Sequence, residues 1–387
     1  MLQIKTNLVS VSKLVIQALN KCALAFMIQQ FIYMLGLLLV YIVLAVYAER
    51  KIAAAIQDRL GPMETGKYGY LQTIADLLKL LQKEHIQPLG VQTILFYAAP
   101  VILFLSVLLG FAFVPVAAVG WSANAETGIF FLLAVLSLDV LGILAAGWSS
   151  NNKYSLYGAV RGIAQLLSYE IPMGLAVLCV VVCVQTLNLE EIVLQQGIFA
   201  QQPIYYLGSE KIAWQINHLG GIFSWNIISQ PVLIPVFVIF FIASLAEANR
   251  PPFDLPEAES EIIAGFHTEY SGYKWAIMML AEYGIMLLMS LLAVTLFFGG
   301  WNTPFFNITS YLPLADWTSG EKGTWSAVLW GSGWLLSKTF LLIAVKMWLR
   351  WSYPRLRIDQ LMTLCWKYLT PLALCCLLLC SIWKVVL

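Results

Sequence analysis

The chain has 387 residues, of which 60% are hydrophobic and only 11% are charged. Soluble domains carry about 25% charged residues, so this composition excludes an ordinary soluble protein and indicates a membrane protein. The 22 basic and 21 acidic residues nearly cancel to a formal net charge of +1, which excludes a bulk electrostatic attraction to nucleic acid or to an acidic substrate.

Eight hydrophobic runs in the sequence are long enough to cross a bilayer as a helix, which takes about 20 residues. Membrane-depth backbone must satisfy its own hydrogen bonds, and these runs are continuous rather than alternating, so we predict helices and not barrel strands. The predicted fold class is all-α, a polytopic membrane protein with about eight transmembrane helices and amphipathic helices on the cytoplasmic side. The runs lie near 24–47, 94–118, 128–148, 170–188, 230–248, 276–300, 326–349 and 364–386.

We interpret residues 1–387 as a single integral membrane domain, with an N-terminal extension at 1–23 and an extramembrane loop at 189–230. Basic residues concentrate in one of the two sets of loops, and the other set holds little more than Lys211 and Lys322. By the positive-inside rule, the basic set faces the cytoplasm or its organellar equivalent. The basic loops are 49–93, 149–169, 249–275 and 350–363.

The loop after the first span contains an amphipathic pattern that predicts a helix along the membrane interface. Its apolar face consists of Leu71, Ile74, Leu78 and Leu81, and its polar face consists of Gln72, Asp76, Lys79 and Lys83. Two interpretations remain open: a surface helix with a solvated Asp76–Lys79 pair, or the roof of an amphipathic pocket.

The polar segment 149–169 leads directly into a span, and Arg161, Gln165 and Tyr169 recur in it every four residues. This spacing predicts that the three side chains share one helix face.

Three acids lie in or at the edge of spans, namely Asp139, Glu170 and Glu282. Acids at membrane depth usually face a protein interior or a water-filled path. Asp139 and Glu282, the two that lie within a span, could equally be structural partners of a buried Lys or Arg.

Seven carboxylates lie between Ala243 and Tyr283, in an otherwise apolar part of the chain. Paired prolines after Arg250 end the fifth span, and Asp254 with Glu257 three residues later resembles a capping box, so the next helix is predicted to begin at Asp254. Capping does not account for all of these acids. Like charges held close raise one another's pKa, which suits groups that exchange protons near pH 7. The seven are Glu247, Asp254, Glu257, Glu259, Glu261, Glu269 and Glu282.

The seven cysteines and three histidines lack the clustered spacing of zinc or iron–sulfur ligands. We interpret the cysteines as small apolar side chains and predict no metal site and no redox centre in this chain.

Short motifs follow one another in order from about residue 30 to the end. They are Glu-Arg-Lys at 49–51, Gln-x-Arg-x-Gly-Pro at 57–62, Ala-Asp-x-x-Lys at 75–79, Ser-Asn-Asn-Lys-Tyr-Ser at 150–155, Ala-Gln-x-x-Ser-Tyr-Glu at 164–170, Glu-x-Asn-Arg-x-Pro-Phe-Asp-Leu at 247–255, Glu-x-Glu-Ser-Glu at 257–261, Thr-Glu-Tyr at 268–270, Ala-Glu-Tyr at 281–283 and Tyr-Pro-Arg-x-Arg-x-Asp-Gln-Leu-Met at 353–362. Together they resemble the NADH dehydrogenase subunit 1 family, the quinone-site membrane subunit of respiratory complex I.

The resemblance implies a subunit of the proton-translocating NADH:quinone oxidoreductase, an enzyme of the respiratory chain. This subunit forms the quinone chamber with the peripheral arm and couples quinone reduction to proton pumping through buried carboxylates. The implied proton path comprises Glu170, Glu247, Glu257, Glu259, Glu261 and Glu282. The implied quinone-binding set comprises Glu49, Arg50, Arg59, Asp76 and Arg161.

The resemblance also implies that quinone is a substrate, that nothing is bound covalently, and that iron–sulfur clusters and FMN belong to partner subunits only. The implied partners are the peripheral-arm quinone-module subunits, the small and antiporter-like membrane subunits, quinone and membrane lipid, and no nucleic acid. The expected location is the bacterial cytoplasmic (inner) membrane, with the mitochondrial inner membrane as the alternative.

The alternative function is the anchor subunit of a related membrane-bound hydrogenase-type complex that does not use quinone. A self-contained channel or transporter is a third class, but the sequence shows neither inverted repeats nor helices broken at the midplane.

Overall fold

A computed structural model of the chain describes residues 31–117, 126–198, 200, 220–257, 259–307, 314–320 and 323–386. The regular elements of these residues are all helices, with no strand among them. The main helices are α1 (Phe31–Ile56), α2 (Gln72–Gln82), α3 (Thr93–Phe111), α4 (Gly128–Ser149), α5 (Lys153–Val184), α6 (Leu233–Glu247), α7 (Tyr273–Phe297), α8 (Trp325–Ser352) and α9 (Ile358–Val385). Shorter helices occupy Leu189–Leu194, Asn226–Ser229, Glu259–Ile262 and Leu314–Ser319.

Seven of the nine main helices among the described residues, all except α2 and α6, are long and apolar enough to cross a membrane. The apolar helix α6 is shorter, with 15 residues, or about 23 Å at 1.5 Å per residue. Counted with the other seven, it completes the predicted set of about eight. The predicted fold class, an all-α polytopic membrane protein, is confirmed.

Most of the predicted loop at 149–169 belongs to α5, which agrees with the helix predicted from Arg161, Gln165 and Tyr169 but not with a loop. This helix begins at Lys153, where the Asn152 side chain accepts a hydrogen bond from the backbone N–H of Tyr154. Its 32 residues extend for about 48 Å, well beyond a hydrocarbon core of about 30 Å. The extension is stable because its glycines pack against the segment that follows α6: a Cβ atom at Gly158 would lie 2.6 Å from the Cα atom of Gly265.

The predicted helix start at Asp254 is wrong. Residues 254–257 contain no helix, and the next short helix begins at Glu259. Instead of capping a helix, the Asp254 carboxylate accepts a hydrogen bond from Nη2 of Arg355 at 2.7 Å. The connection between α6 and α7 folds back on itself at Gly265, whose φ is +54°. The backbone of this glycine lies against the carbonyl of Pro256.

The described ends of the 189–230 segment are bound to the end of α7. The Gln196 amide donates to the carbonyl of Thr295 at 2.9 Å, and the Asn226 amide donates to that of Leu296 at 2.9 Å. Residues 199 and 201–219, the extension at 1–23 and the loop lysines Lys211 and Lys322 lie outside the described residues.

Helix α7 is the most enclosed of the spanning helices in the described chain. Close packing against α3 is possible because residue 284 is glycine: a Cβ atom there would lie 2.5 Å from Cγ1 of Val107. The neighbouring residues Glu282 and Tyr283 are thereby held near the end of α1, where they contact Arg250 and Glu49 respectively.

Candidate functional site

A cavity of about 330 Å³ lies where α1 and α8 end and α7 begins, with α2 along one side. We call it the chamber. Its charged or hydroxyl-bearing lining residues are Glu49, Arg50, Arg59, Thr73, Asp76, Arg250, Glu257, Glu282, Tyr283 and Arg350. Its other lining residues are Ile42, Val46, Ala53, Leu77, Leu80, Trp275, Ala276, Met279, Leu280 and Trp351. The cavity therefore has both a charged and an apolar surface.

Four of the five predicted quinone-binding residues line this chamber: Glu49, Arg50, Arg59 and Asp76. The fifth, Arg161, does not. Its guanidinium lies 2.5 Å from Glu261, whose side chain is half-exposed, and neither residue lines the chamber.

The charged end of the chamber is organised around Arg250, which is only 4% exposed. Its Nε atom lies 3.0 Å from Glu282 and its Nη1 atom 3.5 Å from Glu49. Burial lowers the pKa of Arg250, but Glu282 and Glu49 outweigh burial and raise that pKa above its ordinary value. The guanidinium also lies over the ring of Tyr283, 4.3 Å from its centroid. Arg250 is therefore a fixed positive charge.

Glu49 links three other elements to α1. Its Oε1 atom contacts Nη1 of Arg350 on α8, and its Oε2 atom accepts a hydrogen bond from the hydroxyl of Tyr283 on α7 at 2.6 Å. Since Arg250 also pairs with Glu49, two arginines and two glutamates balance one another in this cluster.

The side of the chamber formed by α2 favours one of the two interpretations left open by the sequence. Asp76 pairs with Arg50 at 2.6 Å and accepts a hydrogen bond from Gln72 at 3.0 Å. Thr73, Asp76, Leu77 and Leu80 all line the cavity. Helix α2 therefore forms part of a pocket wall, and its opposite face, with Leu71, Ile74, Leu78 and Leu81, is exposed.

Behind the chamber is a second cavity of about 20 Å³, which we call the inner cavity. Its titratable lining residues are Asp139, Glu247, Glu257, His267 and Glu282. Glu257 and Glu282 line both cavities, so the acids form a continuous series from one to the other. Glu170, half-buried on α5, is close enough to Glu247 for the two charges to interact.

Two acids of the segment between α6 and α7, Glu257 and Asp254, have opposite electrostatic environments. Burial raises the pKa of Glu257, but His267, with Nε2 2.7 Å away, and Arg250 outweigh burial and hold the pKa below its usual range. For Asp254, burial and the nearby Glu257 raise the pKa to about 6 despite its pairing with Arg355. Glu257 is thus ionised near pH 7 and needs a cation beside it.

Four charged or hydroxyl-bearing residues of the chamber and two titratable residues of the inner cavity were absent from the predicted site. They are Thr73, Arg250, Tyr283 and Arg350 in the chamber, and Asp139 and His267 in the inner cavity. Arg250 and Tyr283 belong to the matched motifs, and Arg350 lies three residues before the last of them. In the sequence these residues stand at the ends of spans or beside an acid, where a structural role is equally plausible. Of the two inner-cavity residues, Asp139 was recognised in the sequence as an acid at membrane depth. Their partners are distant in sequence: 234 positions separate Tyr283 from Glu49. The side chain of Glu259 lies outside the described part of the chain.

Cysteines in the described chain are free thiols, and all except Cys375 are buried. Among the described residues, no three His, Cys, Asp or Glu side chains are arranged to hold a metal ion. Cys22 lies outside the described residues.

Comparisons with known proteins cover most of the chain. A family model described as NADH dehydrogenase matches residues 28–381. The NADH-quinone oxidoreductase H subunit 2 of Cytophaga hutchinsonii is 52% identical over 358 residues, covering 92% of this chain and 98% of that protein. The NADH-quinone oxidoreductase H subunit of Chlorobium luteolum is 47% identical over 341 residues, covering 88% and 84% respectively. The protein of the same name from Anaeromyxobacter dehalogenans is 39% identical over 350 residues, covering 88% and 78%.

Proposed function

The chain belongs to the NADH dehydrogenase family, and from this premise we propose that it is the quinone-site membrane subunit of a proton-translocating NADH:quinone oxidoreductase. In this proposal the chamber receives the quinone, and the acids that continue into the inner cavity couple quinone reduction to proton movement.

The observation that carries the proposal is the mixed lining of the chamber. Ligand sites commonly enclose roughly 300–1,000 Å³ and combine apolar walls with a few placed polar groups, and the chamber has about 330 Å³. The side chains of Ile42, Val46 and Leu80 suit the ring and the isoprenoid tail of a quinone. The charged end around Arg250 and Glu49 suits a head group whose carbonyl oxygens accept hydrogen bonds.

The acids that line both cavities support a coupling role. Reduction of a quinone to a quinol takes up two electrons and two protons, and negative charge develops on the quinone oxygens before the protons arrive. We propose that Glu257 and Glu282 exchange protons with the chamber, and that Glu247 and Glu170 continue the path away from it. The predicted roles of Glu259, Glu261 and Arg161 rest on the family resemblance alone.

The electrons would come from an iron–sulfur cluster of a partner subunit in the peripheral arm. The exposed apolar face of α2, with Ile74 and Leu78, fits contact with such a partner or with lipid beside the chamber. The spanning helices and the bacterial relatives support a multi-pass protein of the bacterial inner membrane. The hydrogenase-type alternative is not favoured, because the similar proteins are named quinone oxidoreductase subunits.

Glu247→Gln tests the proposal, because glutamine keeps the shape and hydrogen bonding of the side chain but cannot titrate. We expect membranes with this variant to lose most NADH:quinone oxidoreduction that is sensitive to a quinone-site inhibitor. The NADH:ferricyanide activity, which bypasses the quinone, should persist. If inhibitor-sensitive quinone reduction and the proton-to-electron ratio both stayed at parental values, the coupling role would be refuted.

A further inference from the structure

We propose that Cys183 of α5 and Cys380 of α9 form a disulfide bond on the side of the membrane opposite the cytoplasm, so that α9 is covalently held to the long helix α5. The inference goes beyond the proposed function, since it involves neither the quinone nor the buried acids. It depends on a cluster of thiols and on the orientation predicted from the basic loops.

Four buried cysteines meet where α5 and α9 pack together. Each helix contributes two, spaced four residues apart and therefore on one face: Cys179 and Cys183 on α5, and Cys376 and Cys380 on α9. All four are at most 5% exposed. The thiol of Cys380 forms hydrogen bonds with the thiols of both Cys179 and Cys183. Formation of a disulfide shortens such a contact to about 2.05 Å, so the packing of the two helices already brings the two sulfur atoms of a disulfide together.

A covalent link at Cys380 would fix the end of α9 that has the fewest other restraints on α5. Near the beginning of α9, the Tyr169 hydroxyl donates to the carbonyl of Leu361 at 3.0 Å, and the Cys365 thiol donates to that of Ser168 at 2.9 Å. Cys380 lies near the other end of the helix. Helix α9 is also the least enclosed of the seven spanning helices in the described part of the chain. A disulfide at this end would therefore hold a helix that packing alone holds weakly.

Both cysteines lie close to the ends of their helices. Cys183 directly precedes Val184, the last residue of α5, and Cys380 lies within two turns of Val385, where α9 ends. Both helices begin on the side of the basic residues, which the positive-inside rule assigns to the cytoplasm, so both end on the opposite side. In the bacterial inner membrane that side faces the periplasm, where disulfides form and persist.

Oxidation of the two thiols needs a two-electron acceptor, and the class of oxidant that the periplasm supplies is a disulfide, on a protein or on a small thiol compound. The Cys183 thiolate attacks one sulfur of this disulfide, which forms a mixed disulfide and releases one thiol. Cys380, after loss of its proton, attacks the Cys183 sulfur and releases the second thiol. Two protein thiols thus become one disulfide while the oxidant becomes two thiols, so electrons and protons balance. Cys183 is accessible to the oxidant before α9, which is synthesised later, packs over it.

The test maps the state of every thiol in the complete complex from native membranes. The membranes are dissolved in SDS with N-ethylmaleimide to block free thiols, then reduced and treated with deuterated N-ethylmaleimide. Peptide mass spectrometry should find the deuterated label on Cys183 and Cys380 and the first label on Cys365 and Cys376. The first label on Cys380 would overturn the proposal, and the deuterated label on Cys179 in place of Cys183 would overturn the assigned pair.

Cys380→Ser and Cys365→Ser form a matched pair, because each removes one buried thiol from α9. In Cys380→Ser we expect Cys183 to carry the first label, whereas Cys365→Ser should keep the parental pattern. Reduction before a melting measurement should lower the melting temperature of the parent and of Cys365→Ser but not that of Cys380→Ser, and equal shifts in all three would contradict a tether. If Cys380→Ser does not assemble, the labelling of the unmodified complex still decides. A missing disulfide leaves the proposed function intact, because inhibitor-sensitive quinone reduction is measured separately.

Discussion

Arg250 neutralises two buried carboxylates, Glu282 by itself and Glu49 together with Arg350. Glu49 and Glu282 are 6% and 9% exposed, and each pairs with this guanidinium from a different helix. Breaking a buried pair by removing one partner costs about 3–5 kcal/mol, whereas replacing the whole pair by neutral groups is often far less costly. The energetic role of Arg250 is therefore to neutralise charge, in addition to any contact it makes with a ligand.

Arg250→Met should lower the melting temperature of the purified complex by an amount that corresponds to several kcal/mol. The double variant Arg250→Met with Glu282→Gln should recover a large part of that loss, because it removes the carboxylate that loses its countercharge, while Glu49 keeps its pairing with Arg350. Differential scanning measurements on the parent, the two single variants and the double variant form a complete cycle. A double variant that melts as low as Arg250→Met would show that Arg250 acts through its shape and its stacking on Tyr283, and not through its charge.

Among the elements, α2 could be predicted from the sequence and its partners could not. The apolar residues at 71, 74, 78 and 81 indicated the helix that the structure places at Gln72–Gln82. The choice between a free surface helix and a pocket wall depended on Arg50, which pairs with Asp76 from 26 positions away. Periodicity reports the faces of a helix but not what lies opposite each face.

The extension of α5 could be predicted only in part: the spacing of Arg161, Gln165 and Tyr169 indicated a helix, but not where it begins or that it continues the span. Polar residues in 149–169 are typical of a loop next to a membrane, and only tertiary packing keeps them helical. The Gln165 amide, for example, donates to the carbonyl of Ala246 at 2.8 Å and to that of Phe253 at 2.7 Å. The long helix thus supports the segment that carries Glu257 and His267.

Gly158→Ala should disturb that support. The new Cβ atom would lie 2.6 Å from Cα of Gly265 and 3.0 Å from the backbone nitrogen of Phe266, so the backbone next to His267 has to move. Overpacking of this kind costs about 1–3 kcal/mol, and we expect a lower melting temperature together with a reduced proton-to-electron ratio. Gly174→Ala on the same helix is the control, since nothing lies within 4 Å of its new Cβ. Equal behaviour of the two variants would mean that the contact of Gly158 with Gly265 does not position the site.

In the whole molecule, the sequence predicted the classes of residue at the site better than their grouping. The hydropathy of the chain was sufficient to predict the fold class, because each span is a continuous local run of apolar residues. The chamber, in contrast, assembles α1, α2, α7 and the end of α8, and Arg350 reaches Glu49 across 301 positions. Arg161 had the right chemistry for the predicted site, but its helix directs it to Glu261 instead.

The chamber and the inner cavity share Glu257 and Glu282, so a ligand in the first lies next to the acids of the second. A substitution that fills the chamber with a larger apolar side chain should therefore weaken quinone binding while all charged residues stay unchanged. Ala276 of α7 lines the chamber, and Ala276→Phe adds an aromatic ring to it. We expect the KM for a short-chain quinone to rise by about tenfold, which corresponds to about 1.4 kcal/mol of lost binding, while NADH:ferricyanide activity is retained. Ala134→Phe places the same ring on an exposed position of α4 outside both cavities and should leave the KM unchanged. An unchanged KM in Ala276→Phe would mean that quinone does not occupy this cavity.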